Sequence, residues 1–300
     1  MREGALLKRG LSSLFLCGAV GLALAACTKQ KDVDGRALLD DARSGDLAGV
    51  RALLAKGTDV NWKGKFDATP LLVAAQQGNS EVVKALIAAH ASIAAATYDI
   101  GARPLTLAAF GGYGAVVQAL LAVGADVNAP EKDGQTALFR AAQAGHDDVV
   151  KILLAAHADV NVHATHGETA LMAASARGVE SPVNILLDAG VDAHARTPDG
   201  ETALTLAARA GNSNICYKLI EAHADINARA GNAHATALML AAEAGKIDAV
   251  RTLIEHKADV NAKTSENPGR TALDLARANG HDDIVDALAA AGGHGGLPQQ

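Results

Sequence analysis

Thr136-Ala137-Leu138-Phe139-Arg140-Ala141-Ala142-Gln143-Ala144-Gly145, continuing as His146-Asp147-Asp148-Val149-Val150-Lys151-Ile152-Leu153-Leu154-Ala155-Ala156-His157-Ala158-Asp159-Val160-Asn161, reads as two short helices joined by a tight turn. The Thr136 hydroxyl suits a helix N-cap, where it can accept from an otherwise unpaired backbone N–H. Ala137 to Ala144 then form a helix whose alanines allow close approach of a neighbour. Gly145 ends it, because glycine tolerates the left-handed conformation after a helix. Asp147 or Asp148 starts a second helix, and Val149, Val150, Ile152, Leu153 and Leu154 supply its apolar face. His157 falls at the next left-handed position, and Asp159-Val160-Asn161 leads into a hairpin loop with Gly134 and Gly167 at equivalent turns. A unit this short cannot bury its own apolar faces, so it must stack on others like it.

The rest of the chain supplies those others. The glycine before each second helix recurs as Gly45, Gly78, Gly112, Gly145, Gly178, Gly211, Gly245 and Gly280, in steps of 33 to 35 residues. In register with it run Thr69-Pro70-Leu71, Arg103-Pro104-Leu105, Thr136-Ala137-Leu138, Thr169-Ala170-Leu171, Thr202-Ala203-Leu204, Thr236-Ala237-Leu238 and Thr271-Ala272-Leu273. A third series reads Asp59-Val60-Asn61, Asp126-Val127-Asn128, Asp159-Val160-Asn161, Asp225-Ile226-Asn227 and Asp259-Val260-Asn261. Three signatures at one period resemble the ankyrin family, whose 33-residue repeat carries a Thr-Pro-Leu-His-x-Ala core. The resemblance covers residues 35–292 and implies an all-α solenoid of about eight helix-turn-helix repeats with hairpin loops. The family's histidine after the leucine is missing throughout: Leu72, Thr106, Phe139, Met172, Thr205, Met239 and Asp274 stand there. A polar network is therefore expected to be lost without threatening the fold. The ends read as caps, with Asp40 and Asp41 where inner repeats have Leu206 and Ala207, and Asp286 where repeat four has Lys151. Residues 293–300 are glycine-rich and are expected to be a disordered tail.

Ahead of the repeats lies an address. Arg2, Lys8 and Arg9 precede an apolar run from Leu11 to Ala23 that is short for a bilayer span and ends in small residues. The run closes on Leu24-Ala25-Ala26-Cys27, which resembles the lipobox of bacterial lipoproteins. The resemblance implies a cleaved signal at 1–26 and a lipidated Cys27, followed by a short polar tether to residue 34. Thr28, in place of the aspartate that favours inner-membrane retention, leans towards the outer membrane facing the periplasm. The formal charge is −6, and removal of the +2 segment 1–26 leaves −8. An acidic chain is a poor candidate for sequence-independent nucleic-acid binding. Of three cysteines, Cys17, Cys27 and Cys216, only the last lies in the repeats, so no disulfide framework is possible there.

Candidate chemistry is thin. His90, His157 and His223 share the helix-end turn, where a histidine in the left-handed region has a structural role. His163 and His166 could meet on one hairpin but lack further ligands. Cys216 aligns with the apolar Val150 and is expected to be a buried, inert thiol. No nucleophile-base pair, phosphate-binding glycine loop or paired carboxylates stand out, so no catalytic residue, cofactor, metal or small-molecule substrate is expected. Arg140 occupies a column of Val73, Leu107, Ala173, Leu206, Leu240 and Leu275, so its stem should pack while its guanidinium reaches solvent or an acid. The aromatics are the functional signal. Trp62, Phe66 and Tyr98 fall in hairpin segments and Phe110 ends a first helix, the two regions that line the binding face in ankyrin proteins; Gln76, Gln77 and Gln143 end first helices on the same side. These seven residues are the candidate protein-binding set, since aromatics anchor interfaces. The alternative for Trp62 and Phe66 is packing against the N-terminal cap. The expected function is a lipid-anchored module holding an unidentified protein partner. An inhibitor or immunity-type protein blocking a periplasmic enzyme or toxin is the second reading, and a metal-dependent enzyme or metal store using the histidines the third.

Overall fold

The computed structural model describes residues 29–266 and 268–296. The segment 1–26 and Cys27 lie outside the described residues. The described chain forms two compact units that meet in sequence at Asp99 and Ile100.

The first unit holds α1 (29–44), α2 (Leu47–Ala55), a single 3-10 turn (Lys65–Asp67), α3 (Pro70–Gln77) and α4 (Ser80–Ala88). Helix α1 takes in residues 29–34, which the sequence reading made a polar tether; Gln30 Nε2 donates to Asp34 Oδ1 one turn on (2.9 Å). Its inner face buries Leu38, Leu39 and Ala42, while Asp40 stays exposed and bonds Arg43 (2.7 Å). Asp40 and Asp41 thus stand on the cap as expected. Burial, and then the charges of Asp46 and Asp40, push the Asp41 carboxyl above its ordinary pKa.

The second unit repeats one plan six times. First helices are α5 (Pro104–Phe110), α7 (Ala137–Ala144), α9 (Ala170–Arg177), α11 (Ala203–Ala210), α13 (Ala237–Glu243) and α15 (Ala272–Ala278). Second helices are α6 (Gly114–Ala122), α8 (Asp147–Ala155), α10 (Glu180–Asp188), α12 (Ser213–Glu221), α14 (Ile247–Glu255) and α16 (Asp282–Ala290). Each first helix packs on the next first helix, each second helix on the next second helix, and the two of a repeat on each other. Helices of seven to nine residues are too short to persist alone, so this lateral packing is what keeps them helical. The contacts are made by small residues and by valine and leucine: Ala141, Ala142, Ala207 and Ala208 are fully buried, as are Val149, Val150 and Leu153. One two-stranded antiparallel ladder, β1 (Arg229–Ala230) with β2 (Ala235–Thr236), is the strand content among the described residues.

The three signatures have separate jobs. Thr69, Thr136, Thr169, Thr202, Thr236 and Thr271 cap first helices, each hydroxyl accepting the N–H three residues on. In the third series the aspartate closes its own turn, as Asp159 Oδ1 does by accepting from Asn161 N (2.9 Å). The asparagine reaches forward: Asn128 Oδ1 accepts from Asp159 N and Asn161 Oδ1 from Asp192 N, both at 2.9 Å. The recurrent glycine meets two demands at once. Gly112 has φ 75°, and a Cβ on it would sit 2.6 Å from the ring of His146 in the next repeat, whose Nε2 bonds Phe110 O (2.8 Å). His90, His157 and His223 adopt φ between 62° and 64°, as their helix-end position requires, and Lys257 joins them at 65°.

Two expectations are corrected. The family histidine's polar role is partly restored by other residues. Thr205 Oγ1 accepts from Thr202 N (2.9 Å) and donates to Thr202 O (2.9 Å); Thr106 does the same with Arg103, and Asp274 Oδ2 accepts from Thr271 N (2.9 Å). Residues 293–296 are not a free tail: Gly293 N donates to Leu288 O (2.8 Å), His294 N to Asn261 Oδ1 (3.0 Å) and Gly296 N to Asp274 Oδ2 (2.7 Å). The glycines permit this because a side chain at 293 or 296 would collide with backbone oxygens of Leu288 or Gly269. Residues 297–300 lie outside the described residues.

Candidate protein-binding surface

The hairpin of the first unit begins with Asp59, which accepts from Asn61 N (2.9 Å), while Asn61 Oδ1 accepts from Ser92 N (2.7 Å) and ties this hairpin to the next. Trp62 follows and turns back onto α1. A Cβ on Gly35 would lie 2.4 Å from the indole, so the absence of a side chain there makes the seat. The indole Nε1 points at Asp32 Oδ1, 3.5 Å away. Trp62 is therefore half-buried and holds the cap, the alternative kept for it above. Phe66 does the opposite. Its φ of 58° lifts the side chain off the body and leaves it 70% exposed. Tyr98, on the following hairpin, is equally exposed, and its N–H donates to Phe66 O (3.0 Å), so the two aromatic tips are joined through backbone.

Gln76 and Gln77 end α3 exposed. Trp62, Phe66 and Gln76 line one groove of about 780 Å³ between α1, the hairpin and α3, with Leu39 and Val73 in its floor. Sequence reasoning missed its other walls: Arg36, Arg43, Lys63 and Lys65. The signal was present, since Arg36 and Arg43 are two helical turns apart on one face and Lys63 and Lys65 flank the aromatic segment. Phe110 and Gln143 belong to the second unit. Phe110 ends α5 and is 54% exposed, and Gln143 ends α7 half-buried.

Several arginines of the second unit pair with acids. Arg140 packs its stem as expected, with 18% of the side chain exposed, and its guanidinium finds an acid: Nε donates to Glu131 Oε2 (3.0 Å), Nη2 bonds the same oxygen, and Asp133 lies 3.5 Å away. Arg209 pairs with Glu201 (2.7 Å), Arg196 with Asp225 (3.0 Å) and Arg270 with Glu266 (3.1 Å). Cys216 is fully buried and burial pushes its thiol up to about 12, so it stays protonated and unreactive. His163 Nδ1 sits 3.0 Å from Gly167 O, a hairpin contact. Among the described residues no three His, Cys, Asp or Glu side chains converge as metal ligands.

A family model described as ankyrin repeats (3 copies) matches residues 38–131, 98–164, 115–197, 138–230 and 229–295. No curated protein matches the chain. The matched spans run almost end to end over the described helices, with the capping threonines, turn glycines and bridging asparagines in register. The chain belongs to the ankyrin-repeat family, whose members are protein–protein interaction modules.

Proposed function

We propose that this chain is a lipid-anchored module of the bacterial cell envelope that holds a protein partner on its hairpin tips and first-helix ends. The observation that carries the docking reading is the pair Phe66 and Tyr98, each 70% exposed and linked by a backbone hydrogen bond. Exposed aromatics on ordered backbone lose little entropy when a partner covers them, which is why such residues dominate binding energies. The anchoring reading rests on Leu24-Ala25-Ala26-Cys27 and the positive start before it. No described helix is long and apolar enough to cross a membrane. Photo-crosslinking amino acids placed at 66, 98 and 217 in living cells test the docking surface. Adducts are expected from 66 and 98. Tyr217, on α12, is the control, and adducts from 217 alone would overturn the assignment.

A further inference from the structure

The groove beneath Phe66 has a sign. Its walls carry Arg36, Arg43, Lys63 and Lys65 against a single acid, Asp40, on a chain whose formal charge is −6. Asp40 engages Arg43, and Lys63 lies 3.6 Å from Asp67. Among the described residues neither Arg36 nor Lys65 makes an ion pair. In the second unit Arg140, Arg196, Arg209 and Arg270 face acids and are already engaged. The floor is apolar, made by Leu39, Val73 and the flank of Trp62. Arg36 and Arg43 are seven residues apart on α1, which at 1.5 Å per residue is about 10 Å. Three residues of extended chain cover about the same distance.

We propose that this groove takes an extended acidic segment of the partner, its carboxylates on Arg36, Lys65 and the Arg43 side, with an apolar side chain on the floor under Phe66. The assignment rests on the docking reading above and names the chemistry of the partner. A basic recess on an acidic protein steers acidic chains and repels others, so it sets rate and specificity, while the covered apolar floor supplies affinity. The recess favours a chain segment, which can enter it, over an anionic lipid surface, which is flat.

Trp62 is the sole tryptophan of the chain and lines the groove, so its fluorescence reports occupancy directly. The full chain, held in neutral detergent micelles, is used to select from a random dodecapeptide display library, and enriched peptides are titrated by Trp62 emission. Acidic peptides with one apolar residue are expected to win and to change that emission. Arg36→Glu with Lys65→Glu should weaken them severalfold, up to about 25-fold, two lost charge contacts at up to about fivefold each. Arg209→Glu in the second unit should leave them unchanged, and Asp40→Asn should tighten them. All these side chains are on the surface, and circular dichroism verifies folding. Neutral or basic winners that still perturb Trp62 and weaken with Phe66→Ala would overturn the acidic assignment and leave the docking reading standing. Winners silent at Trp62 and indifferent to Phe66→Ala, or no enrichment at all, would overturn both. Anionic phosphatidylglycerol vesicles that perturb Trp62, reversed by the Arg36→Glu, Lys65→Glu variant, in the absence of any acidic winner, would assign the groove to lipid and overturn the proposal.

Discussion

Phe66 is the residue where stability and function pull apart. An aromatic side chain at φ 58° costs on the order of 1 kcal/mol, because its Cβ crowds the following carbonyl. Asp67 beside it also has φ 58°, at the place where Gly134 and Gly167 turn the later hairpins. Little packing offsets the cost, since Phe66 is 70% exposed. Phe66→Gly is therefore expected to stabilise the fold by about 0.5–1 kcal/mol while weakening partner binding. A lower urea midpoint in the variant would refute the strain argument. Arg140 presents the reverse case, a charge whose partner is deeply buried: the Glu131 side chain is 2% exposed. Arg140→Leu restores the residue that Leu206 supplies in a later repeat, yet it strands that carboxylate. We expect a loss of about 3 kcal/mol in chemical unfolding. Adding Glu131→Ala, the residue at the equivalent Ala164, should recover most of it, because two apolar residues replace the pair without orphaning either charge. Equal losses in the single and double variants would show that the pair contributes only packing.

Among elements, the last repeat is distinguished by the segment that packs behind it, residues 293–296. Asp274 takes the place of the family histidine at the start of α15, and its carboxylate holds both the helix cap and the segment behind it. Burial alone would raise its pKa, but the backbone amides of Thr271 and Gly296, the Thr271 hydroxyl and Arg277 outweigh burial and lower it. A depressed folded-state pKa means that the stabilisation is fully present above the unfolded value, about 3.9, and is lost as pH falls through the lower folded value. The Gly296 amide resonance should therefore titrate below the ordinary aspartate range and release as it does so. Asp274→Ala should bring that resonance to its random-coil position at pH 7. An unmoved Gly296 in the variant would mean that Gly293 and His294 alone hold the segment. The bridging asparagines act between elements in the same way. Asn128 and Asn161 each accept the amide of the next repeat's turn, a contact worth about 1 kcal/mol. Repeat five has His194 at that place, and only the aspartate half of the motif remains, with His194 N donating to Asp192 Oδ1 (2.8 Å).

At the scale of the whole molecule, charge governs behaviour, and the proposed address would add to it. With the segment 1–26 removed the chain carries −8, enough to keep it dispersed and away from polyanions. On the proposed lipid anchor, membrane attachment would depend on Cys27. Cys27→Ala is expected to move the protein from the membrane fraction to the soluble periplasmic fraction. Retention of the variant in the membrane pellet would argue that the apolar run 11–23 stays attached. Partner binding in solution should survive this change, since the groove and the aromatic tips lie elsewhere in the sequence.

The sequence by itself determined the repeat: its period, helix starts and stops, left-handed turns and the buried column that Arg140 interrupts. Each of these depends on residues within one turn of helix or one hairpin, so the chemistry is written locally and recurs often enough to be read. Cys216 was legible for the same reason, as one member of an apolar column. The tertiary structure decided what depends on residues far apart in the chain. Trp62 and Phe66 are alike as sequence signals, yet Gly35, far back on α1, seats one of them while a positive φ exposes the other. The glycine-rich end looked free because its partners, Asn261 and Asp274, carry ordinary roles of their own. The basic groove is assembled from α1, a hairpin and α3, whose charges are unremarkable in any one segment. Only the path of the backbone sets them side by side, and an electrostatic field, unlike a helix cap, is a sum over neighbours in space rather than along the chain.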